Sequence, residues 1–250
     1  NEYSEIVLVG INLTAYGKEW GGSLCEAAEI ASSIPGIHRV RLGSLEPDLM
    51  TPETINRLAA LDKLCPQFHL SLQSGCDATL KRMNRHYTPE EYKEVCRDLR
   101  EKFPDCGITT DVMVGFPGED EDEFVQSLNF VESVGFSRVH IFAYSPRPGT
   151  PAAKAQNQVS GAEKAKRSRR MSAVCNKSRD KYLDGWIGRC TEVLLEARMD
   201  DNAIEGYTPQ YFPVRITDHD GKLTPGLTVT AEITGHQNGI CMGEISSKFN

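Results

Sequence analysis

Residues 107–123 constrain the fold more tightly than any other stretch of the chain. Residues 108–114 form an apolar, β-branched run that is typical of a buried strand. A turn with two glycines follows at 115–118, and residues 119–123 are all acidic, which suits the positive end of a helix dipole. In parallel α/β proteins, ligands bind where a strand ends in such a turn. The segment therefore predicts a strand–turn–helix unit with a ligand site at the turn.

Alternation along this strand assigns its side chains to two faces. Thr109, Asp111 and Met113 share one face, and the residues between them share the other. A carboxylate inside an apolar strand costs several kcal/mol unless it finds a partner. Asp111 is therefore either a site residue or one half of a structural ion pair, and the pattern leaves both interpretations open.

The same strand-and-helix alternation runs through the first 150 residues. Strands are predicted at 5–9, 39–43, 68–72, 108–114 and 138–143, and helices at 23–34, 51–64, 77–83, 88–103 and 120–134. Repeated βα units predict a parallel sheet or barrel with right-handed crossovers. Small or polar residues follow each strand, among them Asn12, Ser44, Glu46, Gln73, Ser74, Ser145 and Arg147. We expect them to form one rim, as in a barrel active site.

The pattern changes after Pro151. Residues 160–183 predict a long basic helix, because 163–181 carry eight basic and two acidic side chains in a chain of net charge −7. Strands are then predicted at 189–196, 211–216, 229–235 and 240–246, which indicates a small antiparallel barrel or sandwich. We place the domain boundary near Asp184, between a unit of residues 1–183 and one of residues 184–250.

Composition limits the class of protein. An apolar content of 39% can build a full core, and no apolar run reaches the roughly 18 residues of a membrane span. No secretory signal is visible, so we expect a cytoplasmic protein without a membrane partner. The 8 cysteines are scattered without CxxC or CxxxCxxC spacing. This predicts free, mostly buried thiols and no zinc or iron–sulfur site made by this chain alone.

Three blocks carry a family resemblance. FHLSLQSGCDATLKRMNRHYT (68–88), TTDVMVGFPGE (109–119) and FAYSPRPGTPAA (142–153) resemble, in order and spacing, the radical S-adenosylmethionine methylthiotransferases. The β-rich tail is similar to the TRAM module of these enzymes. Its GYTPQYFPV (206–214) and the preceding IGRCTEVLLE (187–196) look most like the bacterial enzymes that methylthiolate N6-threonylcarbamoyladenosine in tRNA. The branch acting on isopentenyladenosine is less similar.

The resemblance implies an α/β fold, a partial (β/α)6 radical-SAM barrel followed by a small all-β TRAM barrel. Family members reductively cleave S-adenosylmethionine at a [4Fe–4S] cluster held by CxxxCxxC. The resulting 5′-deoxyadenosyl radical then abstracts hydrogen from C2 of the modified adenosine. A second cluster is held by an N-terminal domain, and fixed thiolate spacings hold both. Neither cysteine set is present here, nor is a strand before Glu5. We therefore expect this chain to be part of a longer methylthiotransferase and to be inactive alone. We expect the complete enzyme to be a monomer that acts on tRNA with an electron donor.

The resemblance also implies a pocket for S-adenosylmethionine, without assigning a catalytic residue. Glu46 suits the ammonium or the ribose hydroxyls, and Arg85 suits the carboxylate. The alternatives are a helix-surface arginine for Arg85, core aromatics for Phe142 and Tyr144, and a core histidine for His69. The implied cofactor-binding residues are Gly10, Asn12, Ser44, Glu46, Ser71, Gln73, Arg85, Asp111, Met113, Gly115, Phe142 and Tyr144.

RNA contacts are expected on the basic helix and the tail, which we expect to bring RNA to the mouth of the barrel. The expected residues are Lys164, Lys166, Arg167, Arg169, Arg170 and Arg215. A solvated helix face is the alternative, and salt-dependent binding distinguishes the two. Two other functions compete: a non-catalytic RNA-binding protein on a degenerate barrel, and an aldolase-like barrel. The second needs a lysine inside the barrel, which no predicted strand carries at the required parity.

Overall fold

The computed structural model describes residues 3–200, 202–218 and 220–246. An α/β unit comes first, with a small β-barrel after it. The strands of the α/β unit are β1 (Glu5–Leu8), β2 (Arg39–Leu42), β3 (Ser44–Leu45), β4 (Gln67–Leu70), β5 (Gly107–Val114) and β6 (Arg138–Ala143). Its helices are α1 (Leu24–Ser33), α2 (Pro52–Ala59), α3 (Asp77–Arg82), α4 (Pro89–Lys102), α5 (Glu121–Val134), α6 (Pro151–Lys154) and α7 (Gly161–Asp184). Among the described residues, no helix has the length and apolar content to cross a membrane.

The strands of the α/β unit are parallel and lie side by side in chain order. β1 pairs with β2, and β3 pairs with β4, β4 with β5 and β5 with β6. β2 and β3 are separated by Gly43 alone, whose amide donates to the Leu8 carbonyl at 2.8 Å. The result is a two-stranded sheet, β1-β2, that continues through Gly43 into a four-stranded sheet, β3-β4-β5-β6. All their pairs are parallel, as the βα alternation predicts.

Local signals set most of the helix starts. Ser23 and Thr88 each form a capping box, with Glu26 and Glu91 respectively.

The prediction for the second helix was wrong at its C-terminus, because α2 ends at Ala59 and not near residue 64. The chain after it bonds to β2 instead, and the Cys65 amide donates to the Val40 carbonyl at 2.8 Å.

The alternation predicted for β5 is confirmed. Thr110, Val112 and Val114 are at most 1% exposed and face the helices. They join a core that includes Phe68, Tyr92, Phe124 and Phe136. Asp111 and Met113 point the other way and are half-buried. We call their side of the sheet the concave face.

The tail is a closed five-stranded barrel. Its strands are β7 (Cys190–Asp200), β8 (Ala203–Tyr207), β9 (Pro213–Thr217), β10 (Thr228–Gln237) and β11 (Ile240–Ile245), in the order β10-β11-β9-β8-β7.

The prediction that all strands of this barrel are antiparallel was wrong for one pair, because β11 runs parallel to β9. The β10–β11 hairpin returns the chain beside β9. β8 was not predicted, since AIEGY has little apolar alternation, and its pairing with β7 and β9 forms the strand.

The small barrel packs against the amino ends of the α/β strands. Arg39 Nη1 donates to the Tyr207 carbonyl at 3.0 Å, and Arg41 Nη1 donates to the Pro209 carbonyl at 2.9 Å. The Arg41 guanidinium also lies 4.4 Å from the centroid of the Tyr211 ring. The small barrel therefore lies at the end of the strands opposite the mouth, which is at the carboxyl ends. That the tail brings RNA to the mouth stays a prediction. Two buried arginines in a strand, RVRL, were a signal of this interface that the sequence reasoning missed.

Candidate active site

The parallel strands bring the predicted rim to one edge of the sheet. Glu46 follows β3, the segment with Ser71 and Gln73 follows β4, Gly115 follows β5, and Tyr144 follows β6. Hydrogen bonds join the neighbouring segments: Ser44 Oγ lies 3.0 Å from Ser71 Oγ, and the Gln73 amide donates to the Asp111 carbonyl at 2.8 Å. The rim is thus one connected surface, at the end of the sheet where barrel enzymes place their sites.

Glu46 and Arg85 form an ion pair on this rim. Arg85 Nη1 lies 3.0 Å from Glu46 Oε2 and 3.4 Å from Oε1, and both side chains are about three-quarters buried. The Glu46 amide is held by Thr14, whose Oγ1 accepts it at 2.8 Å. The two charges complement an amino-acid zwitterion, with the carboxylate on Arg85 and the ammonium on Glu46.

Gln73 shapes the rim through its backbone. Its φ of 65° lies in the left-handed region, which costs a non-glycine residue about 1 kcal/mol or more. Two hydrogen bonds with β5 hold it there, since the Met113 amide also donates to the Gln73 carbonyl at 2.8 Å. Tyr87 fixes the two preceding residues, since its hydroxyl lies 2.6 Å from the Ser71 carbonyl oxygen and 3.0 Å from the Leu72 carbonyl oxygen. The segment from Ser71 to Gln73 is therefore preorganised.

The turn after β5 is held from below by α7. The Gly115 amide donates to Glu119 Oε1 at 2.9 Å, and Arg167 Nη1 donates to the same oxygen at 2.7 Å and to the Glu119 carbonyl at 2.9 Å. Burial raises the pKa of the Glu119 carboxyl, and the Gly115 amide and Arg167 oppose that shift. A Cβ on Gly115, whose φ is +72°, would lie 2.4 Å from Lys164 Cγ. Helix and turn thus leave no room for a side chain at this position.

Arg167 corrects the RNA prediction for the basic helix. Its side chain is 5% exposed and bound to Glu119, so it cannot contact a phosphate from inside the fold. Arg170, Lys166 and Arg215 pair with Glu121, Glu163 and Glu205 at 2.5, 3.6 and 3.4 Å, and Arg169 is exposed. For these four residues RNA contact stays a prediction.

Tyr144 and Phe142 differ in exposure, although both were predicted as cofactor residues. Tyr144 is 8% exposed and packs edge-on against Phe116, and its carbonyl accepts from Lys164 Nζ at 2.9 Å. Phe142 is 51% exposed on the concave face, in register with Met113. Phe142 and Met113 thus offer an accessible apolar surface, and Tyr144 supports the rim from within the fold.

The first strand end provides a separate concavity. Asn12 Oδ1 accepts from the Ala15 amide at 3.2 Å and caps a short 3-10 helix, Leu13–Ala15. Gly10 and Asn12 line a cavity of ≈ 330 Å³ together with Tyr16 and Trp20. Asn12 therefore has a structural role as a cap, and Gly10 lies beside Leu13.

A polar cluster occupies the concave face below the rim. His69 Nδ1 lies 3.0 Å from Thr109 Oγ1, and His69 Nε2 lies 3.6 Å from Asp111 Oδ1. The hydrogen bond with His69 lowers the pKa of Asp111, and burial lowers the pKa of the neighbouring His140. Asp111 thus has His69 as its partner, and its side chain is 30% exposed. His69 lies on the concave face of the sheet and not in the apolar core.

The cysteines do not form a metal site within the described residues. All eight are free thiols, and seven of them are buried, which confirms the sequence prediction. In the parts of the chain that the structure describes, no three His, Cys, Asp or Glu side chains lie close enough together to hold a metal ion. These residues do not fit an iron–sulfur cluster.

The fold and the rim agree with the comparison to known families. The chain belongs to the radical SAM superfamily, whose family model matches residues 2–131. This confirms the superfamily to which the family indicated by the sequence blocks belongs.

Two curated proteins are similar to most of the chain. The chain is 41% identical to the threonylcarbamoyladenosine tRNA methylthiotransferase MtaB of Thermotoga maritima, over 84% of the chain and 48% of the relative. It is 36% identical to the tRNA-2-methylthio-N(6)-dimethylallyladenosine synthase of Corynebacterium efficiens, over 92% of the chain and 47% of the relative. The chain spans about half the length of these relatives.

Solved structures support the fold alone. Escherichia coli coproporphyrinogen III oxidase (HemN), a radical SAM enzyme, matches with a TM-score of 0.58 at 14% identity, covering 93% of the chain and 55% of that structure. Elp3 of Methanocaldococcus infernus matches with a TM-score of 0.50 at 13% identity, covering 94% and 70%. The likeness confirms the predicted partial barrel.

Proposed function

We propose that this chain supplies the S-adenosylmethionine pocket and the RNA-binding tail of a tRNA methylthiotransferase. The reaction is methylthiolation at C2 of N6-threonylcarbamoyladenosine, and the small barrel serves as the TRAM module. The observation that carries the proposal is the Glu46–Arg85 pair, which shares one rim with the Gly115–Glu119 turn. The 41% identity with MtaB supports the choice of nucleoside.

The rim fits the parts of S-adenosylmethionine. Arg85 would bind its carboxylate and Glu46 its ammonium, which replaces one ion pair by two. Ser71 and Gln73 would face the ribose, and Met113 with the Gly115 turn would face the adenine. When bound, this cofactor supplies the radical chemistry of the superfamily. The residues of this chain bind and orient it, and no residue of the described chain is assigned to the iron–sulfur cluster.

A second candidate substrate is dimethylallyladenosine in tRNA. Identity to the corresponding synthases is 36% over 92% of the chain, and 39% over 82% for the enzyme of Clostridium botulinum. The residues that read the N6 arm of the nucleoside decide between the two substrates. A non-catalytic RNA-binding protein would need no zwitterion pocket, so cofactor binding separates that alternative.

Calorimetry with S-adenosylhomocysteine, which carries the same zwitterion, tests the pocket. The wild-type chain should bind it, and Arg85→Met and Glu46→Gln should each weaken binding about tenfold or more, since each removes a charge-assisted hydrogen bond. Arg97→Met is the matched control, because Arg97 is 69% exposed on α4 and should leave the affinity unchanged. Equal affinity in all four proteins, or no binding by the wild type, would refute the proposal.

A further inference from the structure

We propose that Asp111, His69 and Arg138 form the site that reads the N6 arm of the substrate adenosine. They select an arm that carries a ureido group and a carboxylate over an apolar arm. This inference rests on the proposed function and names the residues that choose between its two substrates.

A chain of polar contacts leads from Gln67 to Asp111. Gln67 Nε2 donates to Thr109 Oγ1 at 3.3 Å, and Thr109 Oγ1 lies 3.0 Å from His69 Nδ1. His69 Nε2 lies 3.6 Å from Asp111 Oδ1. Within the part of the chain that the structure describes, no donor hydrogen-bonds to Asp111 Oδ2. The carboxylate therefore has His69 on one side and keeps its second oxygen for an incoming N–H.

Arg138 places a positive charge beside this acceptor. It begins β6 in register with Thr109, and His140 stands opposite Asp111 on the same face. Arg138 is exposed, and among residues 3–200, 202–218 and 220–246 no carboxylate forms an ion pair with it. A cavity of ≈ 240 Å³ opens beside Thr109 and Arg138, with Gln210 and Tyr211 on its other side. A guanidinium with space in front of it is suited to a carboxylate.

The depth of the cluster separates it from the cofactor pocket. Asp111 is four residues below Gly115, about 13 Å at the usual rise of a strand. The exposed ring of Phe142 lies between the two levels, in register with Met113 of the cofactor pocket. A purine stacked on the Phe142 ring would direct its N6 substituent down the concave face, toward Asp111 and Arg138.

The chemistry of the two arms then decides the selection. A threonylcarbamoyl arm offers ureido N–H groups to Asp111 and a carboxylate to Arg138. Both nucleosides keep the N6–H. A dimethylallyl arm lacks the second ureido N–H and the carboxylate, so it would leave the half-buried Asp111 and the exposed Arg138 without these partners. Sites built to bond a polar group reject analogues that lack it far more strongly than apolar pockets reject extra groups.

The test uses the intact chain with S-adenosylhomocysteine present and three nucleosides as probes. These are N6-threonylcarbamoyladenosine, its methyl ester and N6-dimethylallyladenosine, titrated by calorimetry. Wild-type protein should prefer the first by about 10- to 100-fold over the other two. Arg138→Met should lose that factor for the acid and show no further loss with the ester, because acid and arginine form one interaction. Asp111→Asn should weaken both ureido compounds and leave the dimethylallyl compound unchanged.

Controls make each outcome decisive. Asp62→Asn and Arg97→Met change the same charges on exposed helix and loop surfaces and should match the wild type. S-adenosylhomocysteine affinity should equal that of the wild type in Arg138→Met and in the two controls, which shows that their fold and cofactor pocket are intact. For Asp111→Asn, unchanged affinity for the dimethylallyl compound serves the same purpose. Equal losses for all three nucleosides, or no preference in the wild type, would overturn the inference while cofactor binding still supported the proposed function. Absence of S-adenosylhomocysteine binding would instead refute the proposed function itself.

Discussion

Nη1 of Arg167 lies 2.7 Å from Oε1 of Glu119, and the two side chains are 5% and 2% exposed. This pair connects α7 to the turn after β5. Arg167→Met should lower the free energy of unfolding by about 3–5 kcal/mol, because it leaves a carboxylate buried without its partner. Urea denaturation of the two proteins measures the difference.

A double variant tests whether Arg167 and Glu119 stabilise the fold as a pair or independently. Adding Glu119→Gln to Arg167→Met removes the unpaired charge, so the double variant should be more stable than the sum of the single losses predicts. Lys177→Met is the control, since its ion pair with Glu132 is 82% exposed on the lysine side and should contribute nothing measurable. Additive losses would show that the two residues act independently.

Gly107 marks the contact between the sheet and the small barrel. A Cβ at this position would lie 2.5 Å from the Gln210 carbonyl oxygen, a backbone atom that cannot rotate away. Gly107→Ala should therefore displace the 208–212 loop and increase amide hydrogen exchange there. Gly161→Ala meets no atom within 4 Å and should be neutral or slightly stabilising at the start of α7. Unchanged exchange in Gly107→Ala would mean that the docking adjusts freely.

His140 should titrate below its ordinary pKa of 6.5, because burial and the charge of Arg138 both disfavour its protonated form. Asp111 opposes this shift, so Asp111→Asn should lower the pKa of His140 further, and Arg138→Met should raise it. NMR titration of the imidazole signals measures all three values. The folded state then holds fewer protons than the unfolded state below pH 6.5, so the contribution of His140 to stability is lost as the pH falls through its lowered pKa. A midpoint above 6.5 would contradict this account.

We expect one cysteine of the native protein to react rapidly with a thiol reagent. Cys190 is exposed, whereas burial raises the pKa of Cys65 and Cys106 to about 11 and that of Cys96, Cys175 and Cys241 to about 12. Ellman's reagent should therefore label a single thiol rapidly in the native protein. Cys190→Ser should remove that fast phase, and rapid labelling of a second thiol would contradict the burial of the others.

The sequence predicted what depends on local patterns. The capping residues Ser23 and Thr88 place two helix starts, and alternation in β5 places Asp111 on the open face. It did not predict that Glu46 and Arg85 pair, because they are 39 positions apart and only the fold brings them together. Glu119 was interpreted as one of five helix-terminal acids, and its burial depends on Arg167 reaching it from α7. The position of the small barrel depends on Arg39 and Arg41, which donate to backbone carbonyls. The two arginines in a strand were a signal of an interface, but any residue has a carbonyl, so the sequence does not identify their partners.

Helix α7 spans the α/β unit from one end to the other. Lys164 near its start bonds the Tyr144 carbonyl at the rim, and Leu183 near its end belongs to the core of the small barrel. Its 24 residues correspond to a length of roughly 36 Å. A molecule that touches the rim and the small barrel at once must cover that distance along the outside of the protein. A free nucleoside is far too short for this, so binding at both ends of α7 at once is reserved for a polymer.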